Sequence, residues 1–111
     1  MVKINKKISL DDADRILADA KPEQCFWVNN GPIIRNLNEM VNELVYMKEE
    51  TFEHHVNEEK NDIANWIGDI LKDEELANDI KKFKSKEKIL EKIQNRIKFL
   101  EKKIEKERIL I

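Results

Sequence analysis

The sequence predicts an all-α fold: a compact bundle of four or five short helices with a small hairpin, plus a long C-terminal helix. Three observations carry this. Only two glycines and two prolines occur in 111 residues, so most of the chain suits helix rather than turn. Ser, Asn and Asp recur just ahead of apolar runs spaced by three and four, the pattern of capped amphipathic helices. The last quarter, Ser85–Ile111, holds no glycine or proline and is dominated by Lys, Glu, Ile and Leu.

Taken in order, Met1–Lys7 is basic and expected to be loose. Ser9 opens the first helix, with Asp12 at the third position of a capping box. Ala13, Ile16, Leu17 and Ala20 make its apolar face, and Lys21–Pro22 ends it. Cys25–Val28 and Ile33–Ile34 are short apolar runs around Asn29-Asn30-Gly31-Pro32, which reads as a hairpin of two or three residues per arm. Pro32 weakens pairing. If extended, Phe26 and Trp27 point to opposite sides, leaving one near the surface.

Asn36 caps the next helix, with Glu39 as box partner and Leu37, Met40, Val41, Leu44 and Val45 as its buried face, to about Glu49. Thr51 reads as a second cap before a short helical segment, Phe52–Val56. Asn57–Lys60 is a polar connector. Asn61 caps a helix with the stripe Ile63, Trp66, Ile67, Ile70 and Leu71. Asp73 caps another with Leu76, Ala77, Ile80 and Phe83, and Lys81, Lys82 and Lys84 crowd its C-terminal end, where cations are favoured.

In the tail, Ser85 is the expected cap. Leu90, Ile93, Ile97, Leu100 and Ile104 follow at steps of three, four, three and four, and the count continues to Glu107 and Ile111. This is a heptad seam with one polar interruption. Ile89 widens it, and Phe99 falls off it. Each buried side chain of this kind is worth roughly 1.5–3 kcal/mol, and an isolated helix is marginal in water. The seam therefore needs a surface: the head of its own chain, a second copy, or a different partner.

The chain divides at this point by charge. Residues 1–84 form an acidic helical head and 85–111 a basic amphipathic tail; counted at residue 80, the first part holds 9 Lys/Arg against 18 Asp/Glu and the rest 12 against 5. Head and tail can attract each other, within or between chains. The one cysteine, Cys25, excludes an internal disulfide and fits a reducing cytoplasm. It has no sequence-adjacent activator and reads as a small buried hydrophobe. The absence of a signal-type segment and of a long apolar run points to a cytoplasmic protein with no membrane span.

Candidate chemistry is sparse. His54, His55, Glu58, Glu59 and Asp62 form the only cluster that suggests a metal or acid–base site. Against it stands a structural role, with one histidine closing a hydrogen bond near the Asn61 cap. Trp66 reads as core, at helical spacing with Ile63 and Ile70. Trp27 is either core or a partner-facing edge. Asn29-Asn30-Gly31 lacks the glycine pattern of a phosphate loop.

The runs Phe26-Trp27-Val28-Asn29-Asn30-Gly31, Ile34-Arg35-Asn36-Leu37, Phe52-Glu53-His54-His55-Val56-Asn57, Lys60 to Ile67 and Asp73-Glu74-Glu75-Leu76-Ala77 resemble a family of small archaeal and bacterial domains of unknown function. The resemblance covers Phe26–Ala77, about half of the chain, and departs at Ile63, where Phe is expected. It implies a compact, mostly helical prokaryotic domain that sometimes accompanies other modules. The tail lies outside it.

These readings lead to a non-enzymatic protein-interaction or assembly module, with no catalytic, metal or cofactor residues assigned. Leu90, Ile93, Ile97, Leu100, Ile104 and Trp27 are its expected interaction residues, toward a protein partner or a second copy. A nucleic-acid- or ribosome-binding protein using the tail's Lys and Arg is the first alternative. A small metal-dependent enzyme around His54 and His55 is the second.

Overall fold

A computed structural model describes residues 8–109; the expectations for Met1–Lys7 and for Ile111 lie outside them. The helices are α1 (Leu10–Leu17), α2 (Leu37–Tyr46), α3 (Glu49–His55), α4 (Asp62–Asp69), α5 (Glu74–Ile80) and α6 (Lys86–Ile109), with a single 3₁₀ turn at Pro22–Gln24. Strands β1 (Phe26–Trp27) and β2 (Ile33–Ile34) pair antiparallel. The chain is thus mostly helical with a small sheet, which all-α describes approximately.

Five caps act as the sequence predicts. The side chains of Ser9, Asn36, Asn61 and Asp73 each accept a hydrogen bond from the amide three residues on; at the fifth, Ser85 Oγ accepts from the Lys88 amide at 3.3 Å. At α2 the box is shifted by one residue. Glu39 returns to the amide and guanidinium of Arg35 rather than to Asn36, and these hydrogen bonds hold its carboxyl below the ordinary range.

Three boundaries differ from expectation, two of them where a tertiary hydrogen bond competes with the helix. α1 stops at Leu17 rather than at Lys21. Ala18 turns extended, and the Ala20 amide donates to the Arg35 carbonyl at 2.7 Å. α2 stops at Tyr46 rather than near Glu49. Met47 enters the core in an extended conformation, and its carbonyl accepts from Lys86 Nζ at 2.7 Å. α3 starts before Thr51, which is not its cap: Lys48 holds that position without a side-chain bond, and Glu49 and Glu50 complement the helix's positive end. Val45, expected on the buried face of α2, is half exposed, because the buried stripe runs Leu37, Met40, Leu44 and on to Met47.

One apolar cluster runs through head and tail alike, from Ala13 and Ile16 in α1 to Ile97 and Leu100 in α6. α6 packs on α1, α2 and α5, and α4 packs on α5. The boundary at Ser85 is one of charge, and the core crosses it. Among the described residues, no buried side-chain nitrogen or oxygen lacks a hydrogen-bond partner.

The buried stripe of α6 is Ile89, Ile93, Arg96, Ile97 and Leu100, while Leu90 and Ile104 are only partly covered. The expected heptad therefore lies rotated toward one rim. A helix resting on a globular surface buries a face with a period near 3.6, which favours Ile89 over Leu90.

Candidate functional site

The histidines are the natural place to look for chemistry. α3 ends at His55 and α4 begins at Asp62, and the connector between them is closed by the bridge Val56–Asn61. This brings His55 Nδ1 to 3.0 Å from Asp62 Oδ2. On the other side of the ring, Nε2 accepts the Asn29 amide of the hairpin at 3.0 Å. Since Nε2 accepts, the proton belongs on Nδ1, pointing at the carboxylate. Burial works against the charge on Asp62 and is the largest single influence. Hydrogen bonds from Lys60 and His55, together with the charge beside it, outweigh burial and hold the carboxyl below its ordinary value. His55 is 5% exposed and stacks against Phe26 at 5.0 Å. Both its nitrogens are occupied within the fold, so the ring fastens the hairpin turn to the α3–α4 corner. His54 stands on the exposed side. Among the described residues no group of three or more His, Cys, Asp or Glu could hold a metal ion.

The hairpin has two unlike faces. Phe26 pairs with Ile34, and both are buried; Trp27 pairs with Ile33, 70% and 51% exposed. The Val28 amide donates to the Pro32 carbonyl, so Trp27 and Ile33 fall at the non-hydrogen-bonded position, where facing side chains lie closest. The turn is built for this register. Asn30 adopts φ 57°, a left-handed conformation that Asn tolerates. At Gly31 a Cβ would stand 2.7 Å from Val28 Cγ1. Trp66, in contrast, is core, donating from Nε1 to the Gln24 carbonyl at 2.9 Å and meeting Phe26 edge-on. Cys25 is half-buried, its Sγ 3.4 Å from the Lys21 carbonyl.

Of the three surfaces named for the tail seam, its own head is the one it lies on within the chain. Ile93, Ile97 and Leu100 are buried in the shared core, with Leu90 and Ile104 at its rim. Charge completes the match. Arg96 is buried and grips buried Asp73 with two hydrogen bonds, at 2.8 and 2.9 Å, and reaches Glu75 at 3.2 Å. Lys92 lies 3.8 Å from Asp79, and Lys86 Nζ donates to the Met47 carbonyl at 2.7 Å. Of the basic tail residues, Arg96 is thus withdrawn from any phosphate.

Sequence reasoning missed the role of Arg96 and the exposure of Ile33. Both had a signal. Arg96 sits three residues after Ile93 and four before Leu100, so a charge on that face requires a partner. Ile33 follows Trp27 to the surface once the hairpin register is fixed. No helix among the described residues is long and apolar enough to cross a membrane. Comparison of the chain with family models, with curated proteins and with solved structures gave no match.

Proposed function

We propose that the chain is a non-enzymatic protein-interaction module whose core is closed by its own tail and whose contact surface is the outer face of the hairpin. The observation that carries this reading is the Trp27–Ile33 pair. A tryptophan and an isoleucine face each other in the open, while Phe26 and Ile34 on the reverse side anchor the hairpin to the core. The His55 joint adds stiffness. A rigid aromatic anchor with little entropy left to lose is what an interface hot spot needs.

Two side chains offer far less than the roughly 800 Å² per partner of a stable interface. The fitting occupant is a short apolar peptide segment of another protein, bound transiently, rather than a second copy. Assembly through the tail seam would require α6 to leave the head and give up the burial of Ile89, Ile93, Ile97 and Leu100, at roughly 1.5–3 kcal/mol each.

Trp27 reports on its own test. Trp66 is buried, so quenching by acrylamide and red-edge emission arise from Trp27. Partners cross-linked to the full chain, identified and purified, should blue-shift that emission and shield it from quencher. The same partners should be lost from a chain carrying Trp27→Ala and Ile33→Ser. An unchanged set of cross-linked partners in that variant would overturn the reading.

A further inference from the structure

A second surface lies on the tail, on the side of α6 turned away from the core. Lys88, Lys92, Asn95, Phe99, Lys102 and Lys106 follow at steps of four, three, four, three and four, so they form one stripe along the helix. It spans nineteen residues, about 27 Å at the rise of an α-helix. One acid, Glu91, stands at its edge against Lys88; Glu87, Glu101 and Glu105 lie on another flank of the helix. At its middle, α5 and α6 enclose an open groove of about 500 Å³. Lys82 enters it from beyond α5, and Asn78 and Asn95 supply amides to its walls.

Phe99 lies in this groove, 51% exposed, with the Arg96 guanidinium 5.2 Å from its ring centre. Arg96 is fixed by Asp73, so it supports the ring from within and leaves the rest open. The two acids lining the groove are engaged: Glu75 with Arg96 and Asp79 with Lys92. Lys88 has only an exposed contact with Glu91, of the kind worth little.

Cations spaced along a track, an open aromatic ring among them and side-chain amides beside the ring are the parts of a single-strand binding surface. The cations follow the phosphates, and the ring stacks a base. We propose that the α5–α6 groove and the outer stripe of α6 bind single-stranded nucleic acid, with Phe99 stacking a base and Lys88, Lys102 and Lys106 tracking the backbone. This surface is separate from the hairpin face and does not depend on it. A duplex, with its bases already stacked, has no use for Phe99; an acidic peptide has no base to stack.

The test is fluorescence anisotropy of labelled oligothymidylate and oligouridylate with the full chain at low salt. Binding should weaken steeply as salt rises. Phe99→Ala should weaken it about tenfold, and Lys102→Glu with Lys106→Glu should weaken it further and flatten the salt dependence. All three positions are on the surface, and circular dichroism melts should match the parent; Phe99→Leu, which keeps the bulk and loses the flat ring, serves if Phe99→Ala does not. Unlabelled duplex and polyglutamate should compete about tenfold less well than single strand. No anisotropy change at low salt, equal competition by duplex or by polyglutamate, or binding indifferent to the ring at position 99 would each overturn the proposal.

Discussion

Asp73 and Asp62 each close a joint of this fold, and they differ in what surrounds the carboxylate. Asp73 and Arg96 are both buried, and together they tie α6 to the start of α5. Asp62 is about one-third exposed and shared between buried His55 and exposed Lys60, tying α4 to α3 and, through the ring, to the hairpin. In the first joint the two charges have only each other and Glu75. In the second, water reaches the carboxylate, and the buried element is an uncharged ring. A joint of the first kind is costly to break from one side; a joint of the second kind yields by degrees.

The largest effect should follow from Arg96→Met, which leaves Asp73 charged and unpaired in the interior. A loss of about 3–5 kcal/mol is expected by urea unfolding, with part recovered on adding Asp73→Asn, since Asn still caps α5. A loss below about 1 kcal/mol would show that the pair contributes no more than a surface contact. His55→Ala should cost less, about 1–3 kcal/mol. It removes a buried ring beside Phe26 and the acceptor for the Asn29 amide, and amide exchange at Asn29 should speed up.

Asp62 sharpens the contrast through pH. Its carboxyl is held below the ordinary range in the fold, so the stability it adds is present above the unfolded carboxyl's pKa and fades as the pH falls below about 4. The stability difference between the parent and Asp62→Asn should therefore shrink on acidification; a constant difference would remove the ionised carboxylate from the account. The smallest effect concerns the residue before Asp73. Lys72 sits at φ 62°, and the Asp73 amide reaches back to the Ile67 carbonyl. Lys72→Gly relieves a left-handed conformation and should raise stability by about 0.5–1 kcal/mol in the same unfolding assay.

Much of the fold was legible because it rests on local chemistry. Ser9, Asn36, Asn61 and Asp73 announce their helices by cap type and spacing alone, and the Asn-Gly turn announces the hairpin. What was not legible depends on distant partners. Nothing near Leu17 says that the Ala20 amide will choose the Arg35 carbonyl, and nothing near Tyr46 says that the Met47 carbonyl will be taken by Lys86. The tail shows the limit most clearly. Its apolar repeat fits a heptad and a 3.6-residue face almost equally over so few turns, and only the surface beneath it selects Ile89 over Leu90. The same holds for the candidate surfaces. Trp27 could be named from the sequence, whereas Ile33 and Phe99 acquire meaning only when register and groove are known.

The account turns on the tail's apolar face being filled by its own chain. Thermal unfolding of the full chain, followed across about a hundredfold range of protein concentration, tests this most directly. A face covered within one molecule gives a midpoint that does not move with concentration. A midpoint that climbs as the protein is concentrated would place the cover in a second molecule and contradict the account.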